Sequence, residues 1–331
     1  MSLAITGIGM LSTCGETLDE LYAALEGGSK EKAVASPKMK EKGLVFTDNF
    51  TKKAYAAMRN AANDSGLNST NRSDMGIFLG TAFGSLSSIT GFERGFLEKG
   101  MRGVMPMDFT NSVMNAPAGQ LAILSGLSGI NITVSDGSAA SIGAFRMCAD
   151  MIEGGRINAA VVGGVEEKCD IFCRYMALRG IKASEGACMF IAEDESKAIE
   201  RGAHIYEKII GTSYTYKKDP SKEDVLNIMS AALKDAGITL SELDFIVTCG
   251  EESVKSERAA IDDIKVKCID IQEAIGNTYS ASGAFKAAAA AAIFEKGRLP
   301  GGDVLNNGAA MIAGFGFDGF TGCCVLKKGD N

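Results

Sequence analysis

One short pattern occurs twice in this chain. GAFR at 143–146 opens a stretch that closes on EGGR at 153–156, and GAFK at 283–286 opens one that closes on EKGR at 295–298. Each stretch follows a turn rich in serine and alanine. Each reads as a helix poor in bulk, with Ala288–Ala292 at the centre of the second. Helices this slim can be approached closely on all sides, as a buried central layer requires. The agreement of order and length predicts a duplicated α/β unit, with a pseudo-twofold axis that places the two turns side by side. The expected halves are residues 1–200, which hold the first turn, and 201–331.

The intervening sequence fits such a unit. LAITGIG (3–9), GIFLGTAFG (76–84), AAVVGG (159–164), CMFIAED (188–194), DFIVTCG (244–250) and TGCCVLKK (321–328) read as strands bounded by glycine. Helical periods fill Leu18–Glu26, Phe50–Ser65 and Glu223–Gly237. The strands are apolar without alternation, so both faces of the sheet should be covered, which predicts a layered α/β fold. Cys323 and Cys324 should face opposite sides of a C-terminal strand. Forty glycines against five prolines suit tight strand-to-helix turns, and no low-complexity linker divides the chain.

Composition excludes several functions. A net charge of −7 and the lack of a basic run argue against nucleic acid. MSLAITGIGMLS has no basic region or cleavage site of a secretory signal, and no apolar run is long enough to span a bilayer. Nine cysteines without such a signal fit free thiols in the cytoplasm. Cys169 and Cys173 have metal-like spacing, but no second pair follows and the chain has one histidine, so small buried hydrophobes are the expected reading. No metal and no cofactor is expected.

The chemistry concentrates in NITVSDGSAASIGAFRMCADMIEGGR (131–156), a β-branched strand, a turn through Asp136 and Gly137, and a helix. Such a turn presents Ser138 at the positive end of a helix. Two readings stand. Ser138 is a nucleophile, served by Asp136 nearby in sequence or, as a family resemblance implies, by Cys249, Glu251 or Glu252 as base, or its hydroxyl merely caps the helix.

From end to end the chain resembles the β-ketoacyl-acyl-carrier-protein synthases of the thiolase fold. The likeness rests on GIGMLSTCGETLDELYAALEGG near the start, NSVMNAPAGQLAILSGLSGINITVSDGSAAS and RINAAVVGGVEE around the first turn, and SEGACMFIAEDESKAIERGAHIYEKIIGTSY at the crossing. GNTYSASGAFKAAAAAAIFEKGRLPG and AGFGFDGFTGCCVLKK complete it. The resemblance implies a thiolase-like fold of duplicated α/β halves in an αβαβα arrangement. It also implies decarboxylative condensation by a nucleophilic cysteine and two histidines. Carried over, these three fall on Ser138, Cys249 and Asn277, and a family lysine falls on Gln272. The one histidine, His204, falls on a variable position and reads as an ordinary half-exposed side chain. GFGFDGF has a family counterpart that gates the acyl pocket and joins the oxyanion hole, which marks Phe315 and Phe317 as gate or plain core. A loop that family members carry between GGVEEKCDIFCRYMALRG and KASEGACMF is almost wholly missing.

These substitutions predict a non-condensing relative of the chain-length-factor class in fatty-acid or polyketide synthesis. Its partners would be an active ketosynthase, or a second copy of itself, and acyl carrier protein. The alternatives are an active acyltransferase or thioesterase using Ser138, or a malonyl-thioester decarboxylase.

Overall fold

The computed structural model describes residues 2–27, 32–34, 43–67, 74–104, 106–249 and 255–330. Its first half contributes β1 (Leu3–Leu11), β2 (Gly76–Gly80), β3 (Asn131–Val134), β4 (Ala159–Glu166) and β5 (Gly186–Asp194). Its second half contributes β6 (Glu207–Tyr216), β7 (Phe245–Thr248), β8 (Lys267–Asp270), β9 (Ala309–Phe315) and β10 (Phe320–Lys328). All ten join in the order β3-β2-β4-β5-β1-β6-β10-β9-β7-β8.

The repeat predicted from two helices extends through this topology. Read outward from the junction, one half runs β1, β5, β4, β2, β3 and the other β6, β10, β9, β7, β8. Strand directions repeat too. β2 lies parallel to β3 and β4, as β7 lies parallel to β8 and β9. Within the sheet the halves join where Leu3–Ile5 pairs antiparallel with Glu207–Ile209.

The helices of the first half are α1 (Leu18–Leu25), α2 (Asn49–Asp64), α3 (Leu86–Lys99), α4 (Pro106–Ser112), α5 (Ala116–Ser125), α6 (Ala140–Glu153), α7 (Asp170–Ala177) and α8 (Glu195–Glu200). Those of the second are α9 (Lys222–Ala236), α10 (Lys255–Asp263), α11 (Gln272–Ile275) and α12 (Ser282–Lys296). Helices α6 and α12 form the central layer. Ile142, Phe145, Phe285 and Ala288–Ala292 share one core with Phe78 and Phe190 of the first half-sheet and Phe245 and Ile312 of the second. On the outer faces, α2 and α5 cover the first half-sheet, and α9 and α10 cover the second. This is the expected αβαβα layering of duplicated halves. Cys323 belongs to the outer core and Cys324 to the central one, on opposite faces of β10 as alternation requires.

One region is not covered. Helix α3 buries none of its residues. Phe96, Leu97, Met101, Phe109, Val113, Met114 and Ile123 are all exposed along α3 to α5. Of these helices α5 packs on β3, the strand at the open edge of the first half-sheet, whose Asn131 donates to the Ala118 carbonyl oxygen at 3.0 Å.

Candidate functional site

The two repeated turns meet at the centre of the molecule. A 3₁₀ turn at Gly137–Ala139 leads into α6, and one at Tyr279–Ala281 leads into α12. Ser141 at the start of α6 donates to the Ser280 carbonyl oxygen and so ties the turns together. Gly137 has φ +51° and Tyr279 φ +52°. The left-handed backbone is ordinary for glycine and strained for tyrosine, a difference of about 1 kcal/mol.

Ser138 is buried in the first turn. Its backbone N–H donates to Asp318 Oδ2 at 2.8 Å, and its hydroxyl donates to Asp318 Oδ1 at 3.3 Å. Helix α6 has no side-chain cap, so the capping reading of Ser138 is corrected. The hydroxyl instead donates to a carboxylate brought by the β9–β10 hairpin, a charge-assisted bond. The same carboxylate accepts the Tyr279 hydroxyl at 2.7 Å and the Phe320 N–H at 3.0 Å.

The surroundings are shaped to this carboxylate. A Cβ on Gly137 would stand 2.1 Å from Asp318 Oδ2. One on Gly316 would stand 1.7 Å from Ser138 Oγ and 2.5 Å from Asp318 Oδ1. Burial and the nearby Asp318 charge raise the Tyr279 pKa, so its hydroxyl stays a donor. Magnitudes decide what this does to position 138. A helix N-terminus stabilises an anion by about 0.3–1 kcal/mol. A unit charge about 4 Å away opposes one by ~4 kcal/mol at an effective dielectric near ~20. The carboxylate wins.

An aromatic stack covers the group. Tyr279 lies between Phe83, at 5.8 Å and 17°, and Phe317, at 5.5 Å and 14°. Arg179 places its guanidinium 4.2 Å from the Tyr175 ring centroid and 4.4 Å from that of Phe317. These residues approach Phe317 from the side of α7, which ends at Ala177 with only eight residues intervening before β5 begins at Gly186. Ser184 N–H then donates to the Asn277 carbonyl oxygen at 2.7 Å.

Of the other predicted residues, Asn277 and Phe317 join this group and the rest lie apart from it. Asn277 is fully buried, and its side-chain oxygen accepts the Tyr279 N–H at 2.8 Å. Cys249 is buried at the end of β7 in the central core. Gln272 begins α11 and lines a different cleft of about 240 Å³ with Thr13 and Ser184. Phe315 is outer core, whereas Phe317 belongs to the stack. Of the proposed bases, Asp136 accepts the Tyr214 hydroxyl at 2.6 Å. Glu251 and Glu252 lie outside the described residues. His204 pairs with Glu295 at 3.2 Å and packs on Tyr206, with its side chain 43% exposed.

Two residues escaped the sequence reading. Asp318 is the hub of the site, and its signal is a lone ionisable group in GFGFDGF. Glu166, at the end of β4, accepts from Ala82 N–H at 3.0 Å and Ser280 hydroxyl at 2.5 Å. Burial pushes its pKa up to about 8. Among the described residues no three metal-ligating side chains converge, and no helix is long and apolar enough to cross a membrane.

Known proteins share this architecture. The family model of the β-ketoacyl synthase N-terminal domain matches residues 32–196. The 3-oxoacyl-[acyl-carrier-protein] synthase 2 of Vibrio cholerae is 26% identical over 315 residues, covering 80% of this chain and 76% of that one. A β-ketoacyl synthase structure from Burkholderia phymatum superposes with a TM-score of 0.88 at 19% identity, over 99% of both chains. The ishigamide ketosynthase/chain length factor does so with a TM-score of 0.86 at 22% identity, again over 99% of both. With the repeated halves and the turn that presents Ser138, these matches place the chain in the β-ketoacyl synthase family.

Proposed function

We propose that this chain is a non-condensing, chain-length-factor-like subunit of a fatty-acid or polyketide synthase. It would work in the cytoplasm beside an active ketosynthase and acyl carrier protein, with its halves divided near residue 200. One observation carries the reading. The only histidine in the chain is engaged with Glu295, while the positions that match the family's cysteine and second histidine hold Ser138 and Asn277, both tied into local hydrogen bonds. An enolate and its oxyanion need donors aimed at developing charge, and those side chains offer neither imidazole nor thiolate.

The uncovered α3–α5 surface and the β3 edge support the pairing. A helix with no buried residue is unusual in a free monomer, and an apolar face of this kind fits a subunit interface. Co-expression with an active ketosynthase should give a complex on gel filtration, and Leu97→Asp with Ile123→Asp should disperse it. A stable monomer in the presence of that partner would refute the pairing.

The hydrogen bond from Ser138 to Asp318 favours a second reading, acyl transfer by a serine–carboxylate pair. It requires an acyl adduct on Ser138 after incubation with acyl thioesters, visible by intact-mass spectrometry and absent from Ser138→Ala. A wild type that stays unmodified excludes it.

A further inference from the structure

We propose that Asp318 is a tethered anion that closes the Ser138 turn to negative charge, a role separate from the loss of the family's cysteine and histidines. The inference deepens the non-condensing reading and takes from it only the choice of position 138 as the reacting point. Three observations converge on it. The Asp318 carboxylate takes both the N–H and the hydroxyl of Ser138. Two further donors, Tyr279 hydroxyl and Phe320 N–H, hold it there from the second turn and from its own hairpin. Glycines stand at 137 and 316, where any Cβ would strike the carboxylate or the Ser138 hydroxyl. Tyr279 also accepts a left-handed backbone to bring its hydroxyl to this point, a strain that persists only where the surroundings impose it.

The physical consequence is specific. The Ser138 N–H, which would otherwise face an anion formed at this turn, already serves one. An anion at position 138 would lose that donor and gain a like charge beside it. Restoring a thiol here should therefore not restore a thiolate. The groups facing position 138 are the Asp318 carboxylate and the Tyr279 hydroxyl it holds, with Asp136 in the same turn bound to Tyr214.

The test uses the full chain with Ser138→Cys, alone and combined with Asp318→Asn or Asp318→Gly. Cysteine labelled with carbon-13 reports the ionisation of residue 138 by nuclear magnetic resonance, with no reagent needing access to the buried site. In Ser138→Cys the thiol should titrate at least one pH unit above its midpoint in either double variant. At a pH below both midpoints that is about a tenfold difference in thiolate. Asparagine keeps the shape of the aspartate and glycine removes it, so a folding defect in one leaves the other to decide. Equal midpoints in the single and double variants would overturn the proposal. That outcome leaves the non-condensing reading intact, because the reading is judged on product formation by the wild type.

Discussion

The turns before α6 and α12 are the same device put to opposite uses. Both are 3₁₀ turns that open with a left-handed residue and lead into a small-residue helix. The first spends its left-handed position on glycine, leaving room for a carboxylate. The second spends it on tyrosine, stacked between two rings, with its hydroxyl on that same carboxylate. Helix α12 buries its chain from Ser282 to Phe294, whereas α6 keeps Arg146 and Asp150 at the surface as an i,i+4 pair. One half buries its helix as scaffold, and the other presents Ser138 to the Asp318 carboxylate. The duplication preserved the backbone while the side chains diverged.

Gly137→Ala should destabilise the first turn severely. A methyl group there meets Asp318 in a backbone conformation alanine disfavours, which should cost about 3 kcal/mol in urea unfolding. In an Asp318→Gly background the clash disappears, and only the strain of about 1 kcal/mol should remain. Equal costs in both backgrounds would separate Gly137 from the carboxylate.

Tyr279→Phe tests the second turn. It keeps the stack and removes one donor from a charged acceptor, which should cost about 2 kcal/mol. A cost near zero would mean that the hydroxyl does not hold Asp318.

A further effect is set by pH. Glu166 lies behind both turns with a folded pKa of about 8, above the ordinary carboxylate value of about 4.3. The folded state therefore keeps its proton where the unfolded chain has lost it. Stability from this group is full below about pH 4.3 and falls as pH rises towards 8, by at most about 1.4 kcal/mol per unit. Glu166→Gln should flatten that window. A stability profile unchanged by the substitution would show that the carboxyl ionises freely in the fold.

Most of the fold could be read from the sequence because its strands are covered on both faces. Runs such as AAVVGG and CMFIAED stay apolar without alternation, and β4 and β5 lie where they stand. Strand β6 was not read. Its residues EKIIGTSYTY mix charge with β-branched and aromatic side chains, and although it pairs β10 along its length, its last residues run out to the surface. Helix α3 was not read either, since a helix that buries none of its residues leaves no core-facing period. At the site, Ser138, Asn277 and Phe317 were marked and do meet around Tyr279. Asp318 was passed over because an aspartate among glycines looks like an ordinary turn residue, and nothing local tells that it reaches across to another turn 180 residues away.

The account stands or falls on product formation. Purified without a companion subunit, the chain should be incubated with malonyl and acyl thioesters of acyl carrier protein, and β-ketoacyl product counted by mass spectrometry. No product above the protein-free control is predicted. A β-ketoacyl product that Ser138→Ala abolishes would contradict the claim that this site has lost condensation.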